Sequence, residues 1–157
     1  MGVATSLNWP VGVGQKGNEG VAGQVKRSAG SIGYVEMIYA LQNKISFGQV
    51  RNQAGTSVKA SMESVIAAAD SALSEIPDDL RYSITNAPGK DAYPISGTVW
   101  AVIYVDQSSG KGKAVVDFLR WVTHDGQSYA DALHYARLPK GLVERLDKKL
   151  LQVKVAK

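Results

Sequence analysis

Cysteine is absent from this 157-residue sequence. Disulfides, thiolate zinc sites, iron–sulfur clusters and thiol nucleophiles are thereby excluded. Histidine is scarce: His124 and His134 are all there is, so a metal site would have to take most of its ligands from carboxylates. No apolar run approaches the roughly 20 residues that a bilayer-spanning helix needs. The start of the chain, Met1 to Trp9, has neither a basic leader nor a long apolar segment, so no signal peptide is expected in it.

Chemistry-bearing groups in a working arrangement are also lacking. Ser6, Ser28 and Ser31 have no spacing that selects a base, and no two carboxylates stand out as an acid/base pair. Asp125 and Asp131 read as surface residues. His124 falls at a helix end, where the dipole alone favours a cation. His134 reads as a packed or surface residue as readily as a base. The expectation is a protein that is not an enzyme; a phosphatase finds neither a metal cluster nor an activated nucleophile here.

What is present begins with charge. The formal net charge is +4, and it is unevenly placed. From Arg137 onward seven Lys or Arg residues face only Glu144 and Asp147, while everything before is close to neutral. A nucleic-acid or acidic partner would have to use this tail, through Lys148, Lys149 and Lys154. The plainer reading is the solvated face of a helix, and no nucleic-acid partner is expected.

Hydrophobic spacing gives a mixed pattern. Leu7 to Val13, Ser31 to Glu36, Ile45 to Val50 and Val99 to Val105 read as strands, the last (V-W-A-V-I-Y-V) nearly continuous, as in a strand covered on both faces. Helices are expected from Asn18, as cap, to about Ser28, and over Met37 to Leu41, Val58 to Leu73, Lys113 to His124, Gln127 to Ala136 and from Pro139. Met62, Val65, Ile66, Ala69 and Leu73 mark the inner face of the third. Asn52 to Thr56 and Asn86 to Tyr93 read as turn and loop. Strands alternating with helices point to an α/β protein. The strands are few for a complete sheet.

The glycine-rich stretch Gly12 to Gly20 invites a phosphate-loop reading, and its spacing refuses most of it. Lys16 precedes Gly17 rather than following it, and no hydroxyl comes next, so a nucleotide loop is not matched. Gly12, Gly14 and Gly17 have dinucleotide spacing, but no clear acidic ribose partner lies near Gln42. Two readings stay open: a turn whose free N–H groups and Lys16 stabilise an anion, with Lys16, Gly17 and Asn18 as candidates, or a plain bend capped by Asn18. Ser96-Gly97-Thr98 is a second candidate anion contact, or a plain start to the following strand.

Five ordered motifs carry a resemblance. These are W-P-V-G-V-G-Q-K-G-N-E-G at Trp9 to Gly20, G-S-I-G-Y-V-E at Gly30 to Glu36, and D-A-Y-P-I-S-G-T at Asp91 to Thr98. V-V-D-F-L-R-W at Val115 to Trp121 and G-Q-S-Y-A-D-A-L-H-Y-A-R-L-P at Gly126 to Pro139 follow. Together they resemble the phosphate-binding proteins of bacterial ABC transporters, over essentially the whole chain. The resemblance implies the C-terminal half of a two-lobed, type II periplasmic-binding-protein-like α/β fold, here incomplete. Residues 1–36 would end the second lobe, and 37–157 would cross the hinge and complete the first. It implies inorganic phosphate as ligand, held noncovalently in the interlobe cleft, an ABC permease as partner, no cofactor, and a periplasmic or cell-surface place for the family. The main phosphate contacts of the family precede its W-P motif and are therefore expected to be missing here; Ser96-Gly97-Thr98 is not their equivalent. Half of each lobe leaves sheet edges open, so the isolated chain is expected to form homo-oligomers, to pair with a missing N-terminal half, or to be unstable. A stand-alone dimeric interaction module is the alternative.

Overall fold

The computed structural model describes residues 7–107 and 110–155. Ser6 of the sequence reading lies outside them. The chain divides into two compact units, Met1–Phe47 and Gly48–Lys157.

In the first unit two helices pack together, α1 (Gly17–Arg27) and α2 (Met37–Gln42). Ala22 and Ala40 are their buried residues. Glu19 in the first turn of α1 and Lys26 and Arg27 in the last complement the helix dipole. Asn18, expected as the cap, is not one. The helix starts two residues earlier, Lys16 holds the cap position without a side-chain bond, and the Asn18 Oδ1 instead accepts the Glu36 amide at 2.9 Å. The fastening thus joins the start of α1 to the start of α2. Gly33 lies so close to α1 that a Cβ there would stand 2.8 Å from Val25 Cγ2 and 3.0 Å from Val21 Cγ1. The expected strands Leu7 to Val13 and Ser31 to Glu36 form no ladder among the described residues, and Ile32 is 96% exposed where a buried strand was expected.

The second unit opens with an antiparallel hairpin, β1 (Gln49–Arg51) and β2 (Ser57–Lys59), in which Val50 faces Val58. The turn between them is closed by Asn52 N–H to Thr56 O and Gly55 N–H to Asn52 O, both 2.9 Å, with Gly55 at φ +81 where glycine costs least. Helix α3 (Met62–Ala72) therefore starts later than its composition suggested, because Ser57–Lys59 is taken by the hairpin. Ser61 and Ser64 cap it reciprocally, each side chain bonding the other's backbone N–H. Its most buried face is Ser64, Ala68 and Ala72, not the larger residues read as its inner stripe. Small residues at i, i+4, i+8 let the segment Ile84 to Ala92 approach closely. Ala68, Ala72, Ile84, Ala87 and Ala92 form one core cluster, and Ile76, Leu80 and Leu142 form a second, with Tyr82 packed against both. Ala68 and Ala92 are at 0% exposure, and among the described residues no large side chain is sealed to that degree.

Past this core the chain runs through Val99 to Val105 without a ladder, then pairs Asp106–Gln107 (β3) in parallel with Lys154–Val155 (β4). The most strand-like sequence in the chain is thus irregular and exposed: Val102 at 93% and Tyr104 at 85%. A strand cannot satisfy its own backbone as a helix does, so without a neighbour its propensity has nothing to act on. Helix α4 (Gly112–Thr123) is where the periodicity put it. The helix expected over Gln127 to Ala136 is replaced by two 3-10 turns, Asp125–Tyr129 and Asp131–Leu133, ending at His134 in the left-handed region (φ +57). Gly126 and Ser128 are poor helix formers, which leaves these short turns competitive. Helix α5 (Lys140–Leu150) follows Pro139, buries Leu142, and anchors on the second cluster through Leu146 and through Arg145, which donates to the Ile76 carbonyl. The architecture is α/β, with two small two-stranded sheets among the described residues. Among the described residues no helix is long and apolar enough to cross a membrane.

Candidate functional site

Lys16, Gly17 and Asn18 are brought together by the chain itself at the start of α1. Lys16 is exposed, and its carbonyl accepts the Gly20 amide at 3.3 Å. Gly17 takes φ +66, a conformation other residues adopt only under strain. This sharp bend lets the chain turn into the helix directly after Lys16. The first-turn N–H groups of such an end carry partial positive charge. Asn18 commits its side-chain oxygen to Glu36, so its bond is structural. The same turn carries Glu19, whose Oε1 accepts the Tyr39 hydroxyl at 3.0 Å. That carboxylate opposes an anion at this end, and Lys16 opposes Glu19 in turn.

The segment Asp91 to Thr98 lies in a loop fastened by several hydrogen bonds. Asn52 is 5% exposed, and its amide group donates to Gly89 O at 3.2 Å, Lys90 O at 2.9 Å and Ala92 O at 3.1 Å. Its carbonyl oxygen accepts Thr56 N–H at 3.0 Å. Tyr93 N–H donates to Ser64 O at 3.0 Å, and Asn86 N–H to Pro94 O at 2.8 Å. Ser96 is buried, donates its hydroxyl to Tyr93 O at 2.7 Å, and its carbonyl accepts Thr85 Oγ1 at 3.0 Å. The Ser96 hydroxyl proton is therefore used inside the loop, which removes it as an anion donor. Asn52 was not singled out in the sequence. Its only signal there is a carboxamide between a strand and a glycine turn, a pattern shared with many turns. Burial pushes the Tyr93 hydroxyl above its ordinary pKa.

The remaining candidates serve the fold. Ser28 accepts from the Gln24 carboxamide, and Ser31 donates to Ser28 O at 2.6 Å. Asp131 pairs with Arg137. His124 closes α4, with Nδ1 at 3.0 Å from Arg120 O and Nε2 at 3.3 Å from Asp147 on α5. His134 stands at the end of a 3-10 turn and is exposed. Two shallow depressions line the α4–α5 side, one by Lys113, Asp117, Arg120 and Leu150, the other by Asp117, Arg120, Trp121 and His124 among others. Asp117 takes part in both and accepts from Lys113 at 2.6 Å, so neither is a cationic pocket. Among the described residues no three His, Asp or Glu side chains gather to hold a metal ion.

No family model matches the chain. Individual relatives do. A phosphate-binding protein PstS from Xylella fastidiosa is 45% identical over 148 residues, which is 94% of this chain and 41% of the relative. PstS from Pasteurella multocida is 35% identical over 147 residues, 93% of this chain and 43% of its own length. PstS from Methanocaldococcus jannaschii is 33% identical over 144 residues, 81% of this chain and 37% of its own. The chain is a partial PstS-like sequence.

That likeness runs through both units, since neither alone could hold a match of 148 residues. The chain spans about two fifths of the length of the PstS relatives it matches. Within the PstS-like stretch, W-P-V-G-V-G-Q-K-G-N-E-G supplies the bend and first turn of α1, and D-A-Y-P-I-S-G-T supplies the loop fixed by Asn52 and Ser64. V-V-D-F-L-R-W lies within α4. Three of the five motifs thus fall on a bend, a fastened loop and a helix.

Proposed function

We propose that this PstS-like chain serves as part of the substrate-binding component of an ABC transporter for inorganic phosphate. The observation that carries the reading is the 45% identity over 148 residues to a phosphate-binding protein. Capture is noncovalent: hydrogen-bond donors replace the hydration of the anion in a cleft between two lobes of type II periplasmic-binding-protein topology. In this reading 1–36 belong to the second lobe and 37–157 to the hinge and first lobe. The partners are phosphate and a membrane permease, the setting is the periplasm or cell surface, and no bond is made or broken, so the protein is not an enzyme. The principal ligand groups lie outside this chain, and Lys16, Gly17 and Asn18 add positive potential at the start of α1.

The test is a chimera of the Xylella fastidiosa PstS in which the matched stretch is replaced by this chain. Titration calorimetry should show phosphate binding that survives an excess of sulfate. A folded, monomeric chimera with no phosphate binding would overturn the reading. The isolated chain is expected to bind phosphate weakly or not at all, because its charged depressions are shared with carboxylates.

A further inference from the structure

His124 caps the end of α4, and its two ring nitrogens face two different acceptors. Nδ1 lies 3.0 Å from Arg120 O, one turn back on the same helix, and Nε2 lies 3.3 Å from Asp147 Oδ2 on α5. Neither acceptor has a hydrogen to offer, since a carbonyl and an ionised carboxylate only accept. A neutral imidazole carries a single N–H, so it satisfies one of them and turns a lone pair on the other. With Nδ1 bare, the lone pair meets the Arg120 carbonyl; with Nε2 bare, it meets the carboxylate. The Thr123 hydroxyl, 3.1 Å from Nδ1, does not relieve this conflict. Its hydrogen goes to Arg120 O at 3.1 Å and leaves another acceptor facing the ring. The imidazolium, with a hydrogen on each nitrogen, makes both bonds.

The surroundings favour that cation. The last carbonyls of α4 carry partial negative charge. Asp117, Arg120 and Asp125 line one depression together with the ring, and Asp117 also accepts from Lys113. From α5 the ring faces Asp147, with Glu144 one turn before it and Lys148 directly after it, both exposed. Carboxylates thus outnumber the cations around the ring. The pair also joins two elements that are otherwise fastened elsewhere. Helix α5 rests on the second core cluster through Leu142 and Leu146 and holds the Ile76 carbonyl through Arg145. Its polar fastening to α4 is the His124–Asp147 pair.

We propose that His124 and Asp147 form a proton-dependent latch between α4 and α5, closed when the ring carries both hydrogens and loosened when it loses one. The two side chains are 41% and 40% exposed, so water and salt screen the pair and its effect is modest. The sign follows from the charged form. The stabilisation is complete in acid, where the ring is charged in the folded and unfolded chain alike, and is lost as pH rises and the folded ring gives up a proton. The latch concerns the joining of two helices and does not depend on phosphate binding.

The experiment is a double-mutant cycle on the full chain with His124→Ala, Asp147→Ala and both changes together. Each protein is unfolded with urea at about pH 5.5 and about pH 8, on either side of the range in which histidine changes charge, and followed by circular dichroism. The lower value stays above the ordinary range of carboxylates, so Asp147 remains an acceptor. There the effect of Asp147→Ala on the unfolding constant should be about two- to fivefold larger with His124 present than with it absent. The excess should shrink as salt is raised and vanish at the higher pH. Losses tied to the Arg120 carbonyl, the Thr123 hydroxyl or the helix end cancel, because they enter both halves of the cycle. Asp147→Asn gives a second reading. Its carboxamide accepts from the charged ring and donates to the bare nitrogen of the neutral one, so this variant should hold the two helices alike at both pH values. An excess of equal size at both pH values, one confined to the higher pH, or none at the lower pH would each overturn the proposal.

Discussion

Asn52 and Ala92, forty residues apart, are joined by a hydrogen bond of 3.1 Å from the carboxamide of the first to the carbonyl of the second. The same amide group reaches Gly89 and Lys90, so one buried side chain holds the end of the first hairpin against the loop that crosses α3. The core there is made of alanines, which contribute little burial each, so polar fastening carries a larger share of the order than in a core of large side chains. Asn52→Ala strands buried carbonyls and should cost about 2–3 kcal/mol. Asn52→Asp keeps the shape but loses the donors and adds a charge, and should cost at least as much. Chemical denaturation with tryptophan fluorescence and circular dichroism would measure both. A change within about 0.5 kcal/mol for Asn52→Ala would mean that the loop holds itself.

How much of this was legible in the sequence follows from where each element finds its hydrogen bonds. Helices α1, α4 and α5 close their bonds within a few residues, so their apolar spacing placed them to within about one or two residues. Strands take their bonds from elsewhere. Leu7 to Val13, Ser31 to Glu36 and Val99 to Val105 have strand composition and no described partner, so composition named them and could not build them. The inner face of α3 departs from the apolar stripe because close approach of a loop selects small residues, Ser64, Ala68 and Ala72, over large ones. The candidate site was legible only as motif order. The Asn18–Glu36 bond and the used hydroxyl of Ser96 depend on contacts that spacing does not encode.

Gly33 gives a second stability test, confined to the first unit. Its φ is not in the left-handed region, so the requirement for glycine is one of space. A methyl group there would meet Val25 and Val21 of α1 at distances that force one of them to move. Gly33→Ala should destabilise this unit by about 1–3 kcal/mol. Combining it with Val25→Ala should recover part of the loss, since the second change makes room for the first. Amide exchange in α1, read for the single and double variants, distinguishes the two. If Val25→Ala simply adds its own cost, overpacking is not the cause.

The capping of α3 is reciprocal between Ser61 and Ser64, with Ser64 N–H to Ser61 Oγ at 3.2 Å and Ser61 N–H to Ser64 Oγ at 2.9 Å. The same helix end holds the Glu63 carboxyl below its usual range, through its backbone hydrogen bond first and Ser61 second. Ser61→Ala should cost about 1 kcal/mol. It should also raise the Glu63 pKa toward the ordinary carboxylate value, as read by carboxyl NMR titration. A depressed pKa contributes stability at pH above the unfolded value and loses it as pH falls through the folded value. The difference between wild type and Ser61→Ala should therefore narrow in acid.

Tyr93 titrates in the opposite sense. Burial raises its pKa, so the fold favours the neutral phenol. The stability from this preference is complete below the unfolded pKa of about 10 and is lost as pH rises through the higher folded value. Tyr93→Phe, which cannot ionise, should therefore shift the alkaline unfolding transition to higher pH. An unchanged alkaline midpoint would place the sensitive group elsewhere.

Lys16 offers the sharpest separation of the two readings of the glycine-rich turn. If its charge and the first-turn amides of α1 favour an anion, Lys16→Ala in the phosphate-binding chimera should weaken phosphate binding by about two- to fivefold, the worth of one charge at a helix end. The loss should shrink as salt is raised, because an exposed charge is screened. Glu19→Gln should act in the opposite direction and strengthen binding, since it removes the carboxylate that shares the turn and leaves an oxygen for the Tyr39 hydroxyl. Gly17→Ala serves as the structural control: at φ +66 it strains the bend, and it should lower thermal stability whichever reading holds. Opposite shifts for Lys16 and Glu19 would make the turn an electrostatic contributor. Two silent charges with a destabilising Gly17→Ala would reduce it to a bend that starts a helix.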